Sequence, residues 1–343
     1  MNATAEYPSS ARVHPDPVFS ALHLPLRRTF FPLGYPLALE TNSQEVLQAA
    51  EESWGDFECM SLLDPVRFSL GVSGNRFEGR VKEPTLRARE HLMSIVSDPE
   101  NFLLCDFERG FAFGWVTPGV AANRPWLRYH FLAAGASTLA QQRAFAPLHG
   151  ALVARNNSGV LLCGESCAGK STLAYACARA GWTYISDDGT FLVRERDDRY
   201  AVGDCHHLRL RADAPGIFAE LADCSRIVRP NGKMAIELRT RQLGISTAAG
   251  CTIDQVVFLD RQPIGPAALQ PYPKSAAMAY WSRYIVLGTD ELREAQRRCQ
   301  ERLLSARISQ MQYSDLGEAV SLLERLVDEG VSSPGVHGCC AIS

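Results

Sequence analysis

The chain has 343 residues, 46% of them hydrophobic and 21% charged, with a formal net charge of -3. That composition is enough for one large globular core or two smaller ones, and it lacks the clustered basic footprint that a nucleic-acid or anionic-membrane partner needs. No apolar run approaches the roughly 18 residues of a membrane span, and Met1-Asn2-Ala3-Thr4-Ala5-Glu6 lacks the basic-then-apolar order of a signal peptide, so a cytoplasmic protein is expected. The eleven cysteines, an odd number without paired metal-ligand spacing, read as thiols in a reducing compartment.

Residues 1–38 carry Pro8, Pro15, Pro17, Pro25, Pro32 and Pro36. Each proline removes a donor and fixes φ, so residues 1–40 are expected to form an extended arm without regular structure. Asn42-Ser43 caps a helix over 44–53, with Val46, Leu47, Ala50 and Trp54 on one face. Val66, Phe68, Leu70 and Val72 alternate with Arg67, Ser69 and Gly71, the period of a half-buried strand. Phe102–Cys105 and Phe111–Val116 read as two further strands joined at Glu108-Arg109-Gly110, and Trp126 to Gln142 as a helix. Residues 41–143 are thus expected to form a small α+β domain.

A second domain is expected over 144–330. After Pro147-Leu148-His149-Gly150, the runs Ala151–Ala154 and Gly159–Cys163 flank the turn formers Arg155-Asn156-Asn157-Ser158 and predict a hairpin. Its second strand enters Gly164-Glu165-Ser166-Cys167-Ala168-Gly169-Lys170-Ser171, which fits the Walker A pattern, and Thr172–Arg179 continues as a helix. Gly164 and Gly169 allow a tight turn in which successive N–H groups face an anion, reinforced by the positive end of the helix dipole. The loop Gly164, Glu165, Ser166, Cys167, Ala168, Gly169, Lys170, Ser171 and Thr172 is therefore the candidate nucleotide-phosphate site. Lys170 would add charge at the β- and γ-phosphates, and Ser171 would place its hydroxyl on Mg2+.

Trp182–Ser186 then forms a strand ending at Asp187-Asp188, and acids at a strand end beside a phosphate loop are candidates for metal binding or proton transfer. Thr190–Glu195 and Arg199–Val202 flank Arg196-Asp197-Asp198 and predict another hairpin where an alternating α/β order would place a helix; the sheet is therefore expected to be mixed. Further on, Gln255–Asp260 reads as a strand and Asp290–Arg302 as a helix with the stripe Leu292, Ala295, Cys299 and Leu303. The last helix spans Asp315–Glu329, with a capping box of Asp315 and Glu318 and Gly330 as its stop. A flexible tail over 331–343 ends in Cys340-Ala341-Ile342-Ser343, which matches the four-residue prenylation pattern.

Leu148-His149-Gly150-Ala151-Leu152-Val153, the Walker loop, and Gly181-Trp182-Thr183-Tyr184-Ile185-Ser186-Asp187-Asp188 together resemble the C-terminal domain of the bacterial HPr serine kinase/phosphorylase family, whose fold is like that of ATP-dependent phosphoenolpyruvate carboxykinase. The resemblance covers about 40 residues; it implies a P-loop kinase domain with a mixed sheet, ATP and Mg2+ as cofactors, and phosphorylation of a serine hydroxyl on a protein or peptide. It also implies Asp187 as catalytic base, Asp188 as its metal-side partner, His149 as an active-site histidine, and a homo-oligomer as a possible assembly. The family's sequence after the acid pair has no counterpart; His206-His207-Leu208-Arg209-Leu210-Arg211 stands there instead. The closer likeness is to shorter HPr-kinase-like proteins, some associated with modified-peptide biosynthesis.

The residues alone leave other readings open. Asp187 and Asp188 also fit a turn cap, and His149 a structural histidine. Lys233, Arg209 and Arg211 fit solvated charges as well as a phosphate clamp, and His206-His207 has no accompanying ligand spacing for zinc. A nucleotide-binding switch without phosphotransfer, or a small-molecule kinase of the same fold, is the alternative to a serine kinase.

Overall fold

A computed structural model describes residues 23–73, 82–228, 232 and 234–331. Pro8, Pro15, Pro17, Lys233 and the Cys340 box lie outside those residues. The described chain is mixed α/β, and its strands form three sheets of seven, eight and three strands.

The first sheet starts inside the segment expected to be an arm. Strands β1 (Leu26–Phe30) and β2 (Leu37–Thr41) pair antiparallel. The prolines bracket these strands: Pro25 precedes β1, Pro32 opens a single 3-10 turn, and Pro36 precedes β2, so none removes a donor from within a ladder. Helix α1 (Gln44–Trp54) follows, its first turn capped by Ser43 Oγ accepting from the Val46 N–H. Then come β3 (Val66–Val72), β4 (Thr85–Arg89), β5 (Leu92–Asp98), β6 (Asn101–Asp106) and β7 (Phe111–Val116), in spatial order β1-β2-β3-β7-β6-β5-β4. Strand β4, which pairs with β5, was not legible in the sequence: it is exposed at all five positions and so carries no apolar alternation, whereas β5 buries Met93 and Ile95 two residues apart, an alternation that the sequence reading passed over.

The expected helix over 126–142 is part of a longer helical layer. It comprises α2 (Pro118–Ala122), α3 (Arg124–Leu127), a π-helical stretch Arg128–Ala133 and α4 (Ala134–Ala144). Phe131, Leu132, Ala136 and Leu139 are buried with Phe68 and Leu103 of the first sheet. The same apolar cluster continues into Phe145 and Val202 of the second sheet.

The second sheet opens with the hairpin β8 (Phe145–Arg155) and β9 (Ser158–Cys163), whose two-residue turn puts Asn156 and Asn157 at φ +52° and +63°. That is the turn that hairpin twist favours and that asparagine tolerates. Helix α5 (Lys170–Arg179) buries Leu173, Ala174, Cys177 and Ala178. Strands β10 (Thr183–Ser186), β11 (Gly189–Val193) and β12 (Tyr200–Gly203) follow, with β11 antiparallel to both β12 and β8.

Strands β13 (His207–Arg211), β14 (Ile227–Val228) and β15 (Met234–Arg239) make the small antiparallel sheet, in the order β13-β15-β14. Strand β16 (Gly250–Arg261) returns to the second sheet, parallel to β9. The chain finishes with β17 (Ala268–Pro271), α6 (Lys274–Ser282), α7 (Asp290–Glu301), β18 (Arg307–Tyr313) and α8 (Leu316–Val331). Since β9, β16 and β18 run parallel while the two hairpins and β17–β18 are antiparallel, the mixed sheet expected from the hairpins is present.

Two details of helix ends differ from expectation. Asp315 Oδ1 accepts from the Glu318 N–H at 2.9 Å, but Glu318 turns its carboxylate to the Ala267 N–H instead of back to residue 315, so only half of the capping box forms. Helix α8 also runs through Gly330 to Val331 instead of stopping there. Among the described residues, no helix is long and apolar enough to cross a membrane.

Candidate functional site

The site is built where β9 ends and α5 begins. Between them the backbone turns through three residues of positive φ: Gly164 at +151°, Cys167 at +70° and Gly169 at +96°. A side chain at Gly169 would be strained by that φ, and its Cβ would stand 2.4 Å from Tyr313 Oη. Tyr313 Oη itself donates to the Ala168 carbonyl at 3.1 Å and pins the back of the loop to β18.

Lys170, at the first turn of α5, is buried and folds back across the loop. Its Nζ donates to the main-chain oxygens of Gly164 at 2.7 Å and Glu165 at 3.3 Å. Burial pulls its pKa below the usual lysine value, against the raising effect of Asp188. Ser171 Oγ donates to the Asp187 carbonyl at 3.1 Å, which leaves its oxygen lone pairs available and ties the start of α5 to the acid pair.

The two acids, on the connection from β10 to β11, sit in contrasting surroundings. Asp187 is 3% exposed, and its Oδ2 accepts from the Arg209 main-chain N–H at 2.6 Å. Burial raises its pKa to about 6, more than the nearby Arg209 charge lowers it. The Asp188 side chain is 64% exposed and lies 3.3 Å from His149 Nδ1. Its carbonyl accepts from the Gly150 N–H, and Gly189 pairs with His149 across β8 and β11, so sheet register places the histidine beside the acids. Burial keeps the His149 imidazole below its ordinary pKa, opposed by Asp188.

Sequence reasoning did not find three side chains at the end of α6 and just beyond it. Tyr280 Oη accepts from the Gly164 N–H at 3.2 Å and lies 2.8 Å from both the His149 and the Gly164 carbonyls, within reach to donate. Arg283 pairs with Glu165 at 2.7 Å, and the Tyr284 ring lies 4.8 Å from the His149 ring. No local pattern in residues 274–284 points to the loop more than a hundred residues earlier; only the fold brings them together. Arg211 Nη1 reaches Cys167 Sγ at 3.1 Å, at the rim of the loop, whereas Arg209 lies behind the acids between Asp204 and Glu237. His207 Nδ1 bonds Asp204 at 3.0 Å, and His206 packs on Phe57, so the two histidines face different partners.

Among the described residues, no cluster of three or more histidine, cysteine or carboxylate side chains is arranged to hold a metal ion. A site that binds magnesium through one or two protein groups plus phosphate oxygens and water would not need such a cluster.

No protein-family model and no curated protein matches the chain. Among solved structures, the Hpr(Ser) kinase/phosphatase from Coxiella burnetii aligns with 54% of this chain and 99% of its own, at 15% identity and a TM-score of 0.28. The likeness is distant.

Proposed function

We propose that this chain is an ATP-dependent phosphotransferase that moves the γ-phosphoryl group to a serine hydroxyl of a protein or peptide, with residues 144–330 as a P-loop kinase domain behind a smaller α+β unit. The observation that carries this reading is the junction of the Gly164–Thr172 loop with the acid pair through Ser171 and Asp187. The loop and the α5 N-terminus offer main-chain N–H groups to phosphates, and Lys170 supplies a charge within the loop. ATP would supply the transferable phosphoryl group. Ser171 Oγ and Asp188, which is exposed and close enough to raise the Lys170 pKa, fit a Mg2+ ligand set completed by phosphate and water.

Asp187 is the proposed base. Its carboxylate is held in place by the Arg209 N–H, and burial brings its pKa towards neutrality, where a base can both accept and release a proton. His149 Nδ1 lies 3.3 Å from Asp188, and the acceptor hydroxyl would approach from the exposed side of that carboxylate. The acceptor's chemistry rests on the family resemblance alone.

The test is single-turnover transfer from γ-labelled ATP to a panel of serine-bearing acceptors, HPr and short serine peptides among them. Label on serine supports the kinase; tight Mg-ATP binding with no transfer to any acceptor favours a nucleotide-binding switch.

A further inference from the structure

A series of charged side chains runs from the N-terminal helices to the acid pair. Glu52 on α1 pairs with Arg124 and lies 3.9 Å from Arg128 Nη1. Arg128 Nε donates to Ser53 Oγ at 3.0 Å, and its Nη2 stands 3.6 Å from Glu237 Oε1. Glu237, on β15, gives its other oxygen to Arg209 Nε at 3.3 Å, and the two are cross-strand partners. The series closes where the Arg209 N–H meets Asp187 Oδ2.

Arg209 has a choice of anions. Its Nη2 is 3.5 Å from Asp204, whose carboxylate is already engaged by His207, and its Nε faces Glu237. Glu237 is held from the far side by Arg128, whose planar fork spans Glu237, Glu52 and Ser53 together. Arg128 and Glu237 side chains are each 24% exposed, so their interaction is less screened than a surface pair. The same small sheet is clamped to α1 nearby: Arg239 Nη1 pairs with Asp56 at 2.6 Å, and its Nη2 donates to the Glu52 carbonyl at 2.6 Å.

We infer that Arg128 and Glu237 are positioning residues: through Arg209 they set β13 so that its main-chain N–H fixes the Asp187 carboxylate, coupling the N-terminal helical layer to the phosphotransfer site. The part of this inference that concerns turnover rests on the proposed function, while the part that concerns the backbone does not.

The test compares Arg128→Met and Glu237→Gln with the full-length parent, by hydrogen exchange of the peptide covering 207–211 and by single-turnover transfer. Loss of either side chain is expected to speed exchange there by about tenfold and slow transfer by about tenfold, with Mg-ATP affinity within about twofold of the parent. Arg128→Lys keeps the charge without the fork and should recover part of both losses. It also stands in for Arg128→Met should that variant not fold. Asp56→Asn removes the ion pair from the neighbouring clamp and leaves the series intact, so it should lower the melting temperature while leaving exchange at 207–211 near the parent value. Unchanged exchange in Arg128→Met and Glu237→Gln overturns the inference, as does equal loosening in Asp56→Asn. If the parent transfers no phosphate to any acceptor, the kinase reading fails by itself and exchange alone decides the positioning roles.

Discussion

Ser171 Oγ donates to the main-chain oxygen of Asp187 at 3.1 Å, so the residue proposed to meet Mg2+ also locks the strand end that carries both acids. Ser171→Ala should therefore have two separable effects. Stability should fall by about 1 kcal/mol for the lost hydrogen bond. The gain in ATP affinity on adding Mg2+ should shrink by about tenfold, while Mg-free affinity stays close to the parent. Titrations with Mg2+ and with EDTA check this, and an undiminished Mg2+ response would remove Ser171 from the metal site.

Lys170→Ala removes the cation that folds back across the loop. The Gly164 carbonyl keeps Tyr280 Oη as a neighbour within hydrogen-bond reach, so the loop should survive the change. Charge-assisted hydrogen bonds contribute about 1.5–3 kcal/mol, so ATP affinity should fall by at least about tenfold. Calorimetry giving equal affinity for variant and parent would refute the phosphate-loop assignment.

The contrast between the acids predicts different kinetic signatures. Asp187→Asn keeps the size and the contact with the Arg209 N–H but removes the proposed base, so transfer should fall by about 10²-fold or more with ATP affinity little changed. Asp188→Asn should act mainly on Mg-ATP binding, because that side chain is exposed and close to Lys170. If Asp187→Asn transfers at the full rate while Asp188→Asn does not, Asp188 is the base.

Asp204 provides a stability test that needs no acceptor. Despite burial, its bond to His207, with help from Arg209, holds its pKa at about 2, below the ordinary carboxylate value of 3.8. A depressed carboxylate stabilises the fold above its unfolded pKa, and that contribution fades as pH falls through the folded value. The shift corresponds to about 2 kcal/mol, present above about pH 4 and lost by about pH 2. Asp204→Asn should therefore melt lower than the parent at pH 6, with the gap closing as the solution is acidified through that window. A gap independent of pH would mean that Asp204 acts by packing or neutral hydrogen bonding alone.

Local chemistry explains what was legible in advance. The Asn156-Asn157 turn, the loop glycines, the start of α5 and the strand ending at Asp187 follow from φ preferences and from an apolar period that changes from strand to helix within a few residues. The prolines misled because their effect depends on position: Pro25 precedes the first strand and Pro32 and Pro36 fall between β1 and β2, and a count of prolines does not show that. Strand β4 was missed for a similar reason, since an exposed edge strand has no buried face to write a pattern.

The sequence by itself determined the order strand, glycine loop, Lys-Ser helix and acid pair, because each of those pieces is fixed by contacts within a few residues. Which acid is buried and which is open, and that Tyr280 and Tyr313 brace the loop from 116 and 145 residues away, was decided only by the tertiary structure. The Arg128–Glu237–Arg209 series likewise exists only once the N-terminal helices pack beside β13 and β15. The physical reason is that desolvation and charge pairing depend on distance in space, and sequence spacing carries that information only as far as a helical turn or a hairpin reaches.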